Sequence, residues 1–233
     1  MNKNKNIIVK DLGKEEYQNC FEIQKKLQQE IINIKLNNRR DNLNIETPNY
    51  LLVVEHNHVY TLGKSGDLNN LLYKEELLKR NNISFHHTNR GGDITYHGPG
   101  QLVLYPIIDL ENFFTDIHKY LRLLEKSVID TLKIINIKAS ISSNRTGVWL
   151  DVGKYNERKI CAMGVKVSRW VTMHGLALNI TNDLSYFDGI IPCGLENRNV
   201  TSVKNEIGNS IGIDEIKSLL IKNFSYNFNA TII

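Results

Sequence analysis

The spacing of apolar residues divides the chain into amphipathic helices and short strands. Residues 14–38 lack Pro and Gly and carry apolar residues at roughly helical spacing, and residues 115–136 form a clearer apolar stripe. Thr115 or Asp116 could cap this second long helix, and Asp214 could cap the last one. The predicted helices span 14–38, 71–81, 115–136 and 214–224.

Strands are predicted where apolar residues run between turn residues. The strands after residue 145 are joined by short links, which predicts an antiparallel meander. The order of elements favours an α+β fold, with helices packed on a mostly antiparallel or mixed sheet in a single domain over residues 1–233. The predicted strands span 7–10, 50–55, 85–88, 102–108, 146–151, 158–167 and 172–180.

Composition narrows the class of protein. The chain is 41% hydrophobic and 23% charged, as in soluble globular proteins. Its net charge of +4 is weak for a nucleic-acid binder but would suit an acidic protein partner. The three cysteines form no disulfide or zinc pattern, and no apolar stretch suits a signal peptide or a membrane span. We therefore expect a cytoplasmic protein that binds neither nucleic acid nor membrane.

The segment Arg90–Gln101, with the sequence RGGDITYHGPGQ, is the strongest candidate binding loop. It holds four glycines, and Arg90, Thr95 and His97 lie among them. Glycines allow the backbone to turn sharply or to approach a ligand closely. Polar side chains among them favour a binding loop over a simple turn.

Two other local patterns are weaker. Gly63-Lys64-Ser65 resembles the end of a phosphate-binding loop, but His58 stands where that loop requires glycine. His56 and His58 could chelate a metal from an extended segment, yet no third ligand is evident. We therefore expect neither a nucleotide, nor a metal, nor another cofactor.

Two cysteines are candidate nucleophiles. Cys161 lies within a predicted strand among apolar residues, which is an ordinary core position. Cys193 lies between Pro192 and Gly194, where a thiol can reach solvent and backbone N–H groups can bind an oxyanion. A loop thiol without a chemical role is the alternative for Cys193.

A thiol is mostly protonated at neutral pH and needs a proton acceptor. His97, His174 and Lys159 are candidates. Strand alternation predicts that Lys159, Cys161 and Met163 share one face. If that face points inward, burial lowers the pKa of the lysine and lets it exchange protons; a solvent-exposed lysine is the alternative.

Five segments, in order along the chain, resemble the lipoyl(octanoyl) transferases of the LipB family. They cover most of residues 5–205. The sequence departs from the family at His56-Asn57-His58, where His-Pro-Pro is common. The segments are Glu55-His56 with Val59–Gly63, Arg90–Val103 with Tyr105-Pro106, Lys159–Val165, His174–Asn179 and Ile191–Leu195.

The resemblance implies the fold of the biotin and lipoate protein ligase superfamily and a reaction that needs no cofactor. An octanoyl group would move from octanoyl-acyl carrier protein to a lysine of lipoyl domains, such as those of 2-oxoacid dehydrogenase complexes and the glycine cleavage H protein. Cys193 would form an acyl-thioester, Lys159 would exchange protons with it, and His97 would help to polarise the thioester carbonyl. The residues implied to line the acyl site are Arg90, Gly91, Gly92, Asp93, Ile94, Thr95, Tyr96, His97, Ala162, Met163, Gly164, Gly175, Leu176 and Ala177.

Two alternative functions remain open at this point. A lipoate–protein ligase would share the fold and the strand lysine but would use ATP and would not require Cys193. A non-catalytic acyl-binding module would never become acylated. The oxyanion site also has two candidates, the backbone N–H groups near Gly98–Gly100 and those of Cys193-Gly194.

Overall fold

Runs of strands lie between helices in the computed structural model, which describes residues 3–143, 145–191, 199–208 and 212–233. The strands are β1 (Asn6–Glu15), β2 (Tyr50–His56), β3 (Val59–Leu62), β4 (Ser84–His87), β5 (Ile94–His97), β6 (Gln101–Ile107), β7 (Ser140–Ser142), β8 (Arg145–Leu150), β9 (Arg158–Ser168), β10 (Val171–Asn179), β11 (Asn199–Val200) and β12 (Thr231–Ile232). The helices are α1 (Tyr17–Arg40), α2 (Glu75–Arg80), α3 (Ile117–Ile134), α4 (Val203–Ile207) and α5 (Ile213–Phe228).

The described strands form two sheets. The larger has the order β12-β1-β2-β6-β10-β9-β8-β7, with β11 beside β9, and the smaller has the order β4-β3-β5. β1 pairs parallel with β2, whereas the neighbours from β2 through β6, β10, β9 and β8 to β7 are antiparallel. The predicted meander is confirmed as β8-β9-β10, and the α+β fold with a mixed sheet is confirmed.

Alternation along the central strands places one helical layer on each face of the larger sheet. Leu104 and its same-face neighbours pack with α3 and α5, whereas Val103 and Ala177 pack with α1 on the other face. Cys20 of α1 is fully buried in that second layer. Among the described residues, no helix is both long and apolar enough to span a membrane.

Some strands and helices begin or end at residues other than those predicted from the sequence. β1 runs past the predicted strand 7–10 because its register with β2 shifts between Asp11 and Lys14, which accommodates the turn-like residues between them. Asp116 caps α3 by accepting a hydrogen bond from the Lys119 N–H at 2.9 Å. The predicted cap Asp214 instead lies in the first turn of α5, after Gly212 at the N-cap.

A buried ion pair fastens the end of α1 to the segment after β6. Lys35 Nζ lies 2.5 Å from Asp109 Oδ1, and both side chains are almost fully buried. The other carboxylate oxygen, Oδ2, accepts a hydrogen bond from the Thr47 hydroxyl at 3.0 Å. Removing one partner of such a pair leaves an unpaired buried charge. That charge destabilises the fold by more than the intact pair stabilises it.

We predict that Lys35→Met lowers the free energy of unfolding by about 3 kcal/mol, because Asp109 loses its buried cation. Arg39→Met is the matched control, because Arg39 pairs with Glu111 on the surface and is 67% exposed. That exposed pair should contribute at most about 1 kcal/mol. Urea unfolding measures both variants, and equal effects would show that the Lys35 pair does not anchor α1.

Candidate active site

A cavity of about 380 Å³ lies between the glycine-rich segment 90–97 and the paired strands β9 and β10. This volume falls in the range of about 300–1,000 Å³ that is usual for small-molecule sites. Its walls include Lys159 and every residue that was expected to line the acyl site, except Tyr96. Tyr96 instead packs in the apolar core of the smaller sheet, and its hydroxyl lies 2.8 Å from His58 Nδ1.

Backbone lies directly against backbone where the glycine-rich segment crosses β9. The Gly91 N–H donates a hydrogen bond to the Val165 carbonyl at 2.9 Å. A Cβ atom on Gly164 would lie 2.7 Å from the Gly91 carbonyl oxygen, and one on Gly63 would lie 2.2 Å from that of Gly92. Gly63 and Gly164, which lie outside the glycine-rich segment, are therefore needed for this close approach.

Arg90 and Asp93 hold the segment in shape. The buried guanidinium of Arg90 donates hydrogen bonds to the Thr61 carbonyl at 2.5 Å and to the Gly91 carbonyl at 3.1 Å. The Asp93 carboxylate accepts a hydrogen bond from the Asn70 side chain at 2.6 Å. Both residues border the cavity, but these contacts organise the wall.

A β-bulge corrects the predicted orientation of Lys159. The register of β8 with β9 shifts by one residue just before the pair Trp149–Lys159. Cys161 is fully buried in the core beneath α3 and does not border the cavity, whereas Lys159 and Met163 both do. The expectation that Lys159 shares one face with Cys161 is therefore wrong, and burial raises the pKa of the Cys161 thiol far above its ordinary value.

Two cations lie against the indole ring of Trp149. Lys159 Nζ is 4.5 Å from the ring centroid, and the guanidinium carbon of Arg145 is 4.3 Å from it. Arg145 also forms an ion pair with Glu157. These cation–π contacts hold the Lys159 ammonium at the cavity wall. The sequence did not identify Trp149 or Arg145, because only the shifted register brings them beside Lys159.

His174 lies at the cavity in a strained backbone conformation. Its φ of +61° is unusual for a residue with a side chain, and it occurs in the middle of β10. The buried Gln24 side chain on α1 accepts a hydrogen bond from the His174 N–H at 3.0 Å. Burial, with help from the nearby cations of Arg90 and Lys166, lowers the pKa of His174 to about 3.

His97 is held as a neutral ring by a chain of side-chain amides. The Thr201 carbonyl accepts from Asn179 Nδ2 at 3.0 Å, which turns Asn179 Oδ1 towards Gln101 Nε2 at 2.8 Å. The Tyr96 carbonyl also accepts from Gln101 Nε2, at 3.2 Å. Gln101 Oε1 therefore faces His97 Nδ1 at 2.8 Å, so that Nδ1 carries the proton and donates it.

Burial is the main cause that lowers the pKa of His97 to about 3, and the neighbouring His56 is the second. The neutral ring uses its only N–H on Gln101, and it has no proton left for a carbonyl. This tautomer gives no support to the expected role of His97 in polarising a thioester carbonyl.

His56 and His58 also have partners within the protein. His56 Nδ1 donates to the Glu15 carbonyl at 2.8 Å, and its Nε2 accepts from the Tyr105 hydroxyl at 2.9 Å. His58 stacks on Tyr186 with ring centroids 4.0 Å apart. Burial lowers the pKa of His56 to about 4. These contacts give both histidines structural roles.

The candidate oxyanion donors near Gly98–Gly100 do not border the cavity. The Gly100 N–H donates to the Glu55 carboxylate at 2.7 Å, so this N–H is not available to bind an oxyanion. The other candidate, Cys193-Gly194, lies outside the described residues, and so does the candidate nucleophile itself.

The described residues on either side of segment 192–198 are well anchored. The Ile191 N–H donates to the Asn70 carbonyl at 2.8 Å. Val200 borders the cavity and pairs with Lys159, whose carbonyl accepts from the Thr201 N–H at 2.9 Å. The chain thus returns to Lys159 seven residues after Cys193.

Sequence comparison relates the chain to a family of acyl-transferring and ligating enzymes. Residues 17–225 match the family described as the lipoyl protein ligase A/B catalytic domain. A relative in Flavobacterium johnsoniae named octanoyltransferase is 57% identical over 231 residues, which cover 99% of this chain and 100% of the relative. Another octanoyltransferase, from Christiangramia forsetii, is 55% identical over 98% of each chain.

Solved structures identify the fold. A bi-partite lipoate protein ligase from Thermoplasma acidophilum superimposes with a TM-score of 0.68 at 18% identity, over 99% of this chain and 87% of that one. A lipoate-protein ligase A solved with bound ATP gives a TM-score of 0.70 at 16% identity, with the same coverage of both chains. The chain has the biotin/lipoate protein ligase fold, as predicted.

We predict that acid destabilises the protein through its buried histidines. His56, His97 and His174 have depressed pKa values in the folded protein, so the unfolded chain takes up protons near pH 6.5 that the folded chain does not. Stability is therefore present above this pH and is lost below it. Lowering the pH from 7 to 5 should reduce the free energy of unfolding by about 1–2 kcal/mol per histidine.

Urea unfolding at a series of pH values measures this effect. His174→Asn supplies a matched comparison, because asparagine tolerates positive φ but does not titrate in this range. The free energy of unfolding of this variant should fall less between pH 7 and pH 5, because one histidine fewer takes up a proton on unfolding. A free energy of unfolding that stays constant from pH 7 to 5 would contradict the neutral assignment of these rings.

Proposed function

Since the chain belongs to the lipoyl protein ligase A/B catalytic domain family, we propose that it is an octanoyltransferase. In this proposal it moves an octanoyl group from octanoyl-acyl carrier protein to a lysine of a lipoyl domain, through a thioester on Cys193. Lys159 exchanges protons with the cysteine. The observation that supports this most is the position of Lys159, at an apolar cavity and beside the strand that follows the Cys193 segment.

The cavity has a lining that suits a saturated acyl chain. Small residues of β9 and β10, among them Gly164 and Gly175, leave its floor without bulky side chains. Leu121, Met163 and Leu176 add apolar surface. Each CH₂ group moved from water into such a site contributes about 0.8 kcal/mol, so an eight-carbon chain gains several kcal/mol on binding.

The first half-reaction forms the acyl-enzyme. The Cys193 sulfur bonds to the carbonyl carbon of the donor thioester while its proton passes to Lys159 in its neutral form. The bond to the donor sulfur then breaks, and the departing thiolate takes the proton back from Lys159. One thioester replaces another, so the step is nearly balanced in free energy and needs no ATP.

The second half-reaction forms the amide. The amine of the acceptor lysine attacks the Cys193 thioester, and the cysteine thiolate leaves. The proton released by the amine passes through Lys159 to the departing sulfur, which restores both groups. Because Trp149 and Arg145 hold the Lys159 side chain at the cavity wall, the same amino group can accept and return the proton in both half-reactions.

The fold alone is shared with lipoate–protein ligases and therefore does not choose between ligation and transfer. The choice of transfer rests on sequence. Relatives named octanoyltransferase share 55–57% identity with essentially the full chain, whereas the ligases of similar fold share 16–18%.

We predict that intact mass spectrometry detects one added octanoyl group after the protein is mixed with octanoyl-acyl carrier protein. Cys193→Ala should abolish the adduct. Cys161→Ala is the matched control and should keep it, since the Cys161 thiol is buried in the core. An adduct that survives Cys193→Ala, or no adduct on the active unaltered protein, would refute the thioester route. Octanoate transfer by Cys193→Ala with ATP would establish a ligase instead.

We predict that Lys159→Ala slows both half-reactions about 10²–10⁴-fold, which is the usual contribution of a positioned proton carrier. Lys166→Ala, on the same strand but away from the cavity wall, is the matched control and should leave both rates unchanged at saturating donor. Rapid-quench kinetics of each half-reaction, with urea unfolding to confirm the fold, make the measurement. Unchanged rates in Lys159→Ala would remove its assigned role.

A further inference from the structure

His97 presents one unused polar atom to the cavity. Nδ1 donates to Gln101, and no described residue forms a hydrogen bond with Nε2. The ring stacks on Tyr17 with centroids 6.3 Å apart and borders the cavity. Because the proton is on Nδ1, the free nitrogen carries a lone pair and can only accept a hydrogen bond.

The surroundings of His97 strengthen the need for an N–H or O–H partner. The ring is 6% exposed, so few water molecules reach it. The nearby Tyr105 hydroxyl already donates to His56, because the other nitrogen of His56 donates to the Glu15 carbonyl. A lone pair that faces a substrate cavity and has no partner in the described protein gains a hydrogen bond when a bound molecule supplies a donor.

We propose that His97 Nε2 accepts a hydrogen bond from an N–H group of a substrate in the cavity, and so orients that group for reaction. This inference rests on the proposed octanoyl transfer, which brings two such donors. One is the amine of the acceptor lysine, and the other is an amide of the arm that carries the octanoyl thioester. A ring held neutral by Gln101 positions the donor and leaves proton removal to Lys159.

The network that fixes His97 also reaches the other side of the site. Asn179 and Gln101 connect the ring to the Thr201 carbonyl, and the Thr201 N–H is bonded to the Lys159 carbonyl. The acceptor nitrogen and the lysine strand are therefore connected by one set of hydrogen bonds, which couples their positions.

His97→Asn is the variant that tests this proposal. Asparagine can keep a donor near the position of Nδ1 for Gln101, but it has no atom in place of Nε2. His86→Asn is the matched control, because His86 also lies against Tyr17, at 5.3 Å between ring centroids, but does not border the cavity. Each variant is examined in two single-turnover experiments, acylation by octanoyl-acyl carrier protein and transfer from the acyl-enzyme to a lipoyl domain.

His97→Asn should slow one half-reaction about ten- to hundredfold, the rate equivalent of one lost hydrogen bond to a polar or charged group. Slow transfer with normal acylation identifies the acceptor amine as the donor, and slow acylation identifies the amide of the carrier arm. His86→Asn should change neither rate. Normal rates in both experiments for a folded His97→Asn protein would overturn the inference.

A spectroscopic measurement tests the same point without a variant. Long-range ¹H–¹⁵N correlation should show His97 with its proton on Nδ1 and a bare Nε2, and the Nε2 resonance should move when the carrier or the lipoyl domain binds. A proton on Nε2 would overturn the inference. Failure of the octanoyl transfer itself would be distinct, because the unaltered protein would then form no acyl-enzyme.

Discussion

The close contact between the backbone of residues 90–92 and strand β9 is the constraint on which the site depends. Gly164 allows β9 to meet the backbone of this segment, and Gly63 allows a second close contact with its Gly92 carbonyl, while the Arg90 guanidinium ties the segment to Thr61 on the smaller sheet. Gly175 allows β10 to lie close to β6, since a Cβ there would lie 2.1 Å from the Leu104 carbonyl oxygen. The cavity is the space that remains between these surfaces.

Much of this arrangement was predictable from the sequence, because it depends on local chemistry. Long apolar periodicity predicted α1 and α3, and short apolar runs between turn residues predicted the meander. Glycine density, with polar side chains among the glycines, indicated a binding loop at 90–101, and most of residues 90–97 border the cavity. The segments that resemble the LipB family contain residues of both walls of the cavity, although these residues lie far apart in the sequence.

Other features depended on tertiary contacts that no local pattern contains. The bulge in β9 reverses the side on which Lys159 lies, and strand alternation could not anticipate it. Trp149 and Arg145 join the site only through that register. Strand β5 falls inside the glycine-rich segment, where turn residues conceal it and pairing with β3 stabilises it. Tyr96 leaves the cavity for the same reason, since its side chain completes the core of the smaller sheet.

The polar groups around the cavity divide into two kinds. Arg90 and Asp93 are engaged with protein partners and maintain shape. Lys159 and His97 present a cation and a lone pair to the cavity, so one can exchange protons while the other can only accept a hydrogen bond. Burial keeps His97 neutral, which separates proton transfer from orientation in the proposed reaction.

A crystal structure of the octanoylated protein tests the central claim most directly. The account predicts a thioester on Cys193, an octanoyl chain lying between segment 90–97 and the strands at 162–164 and 175–177, and Lys159 Nζ near the thioester. Octanoyl density on another residue, or a chain outside this cavity, would contradict it.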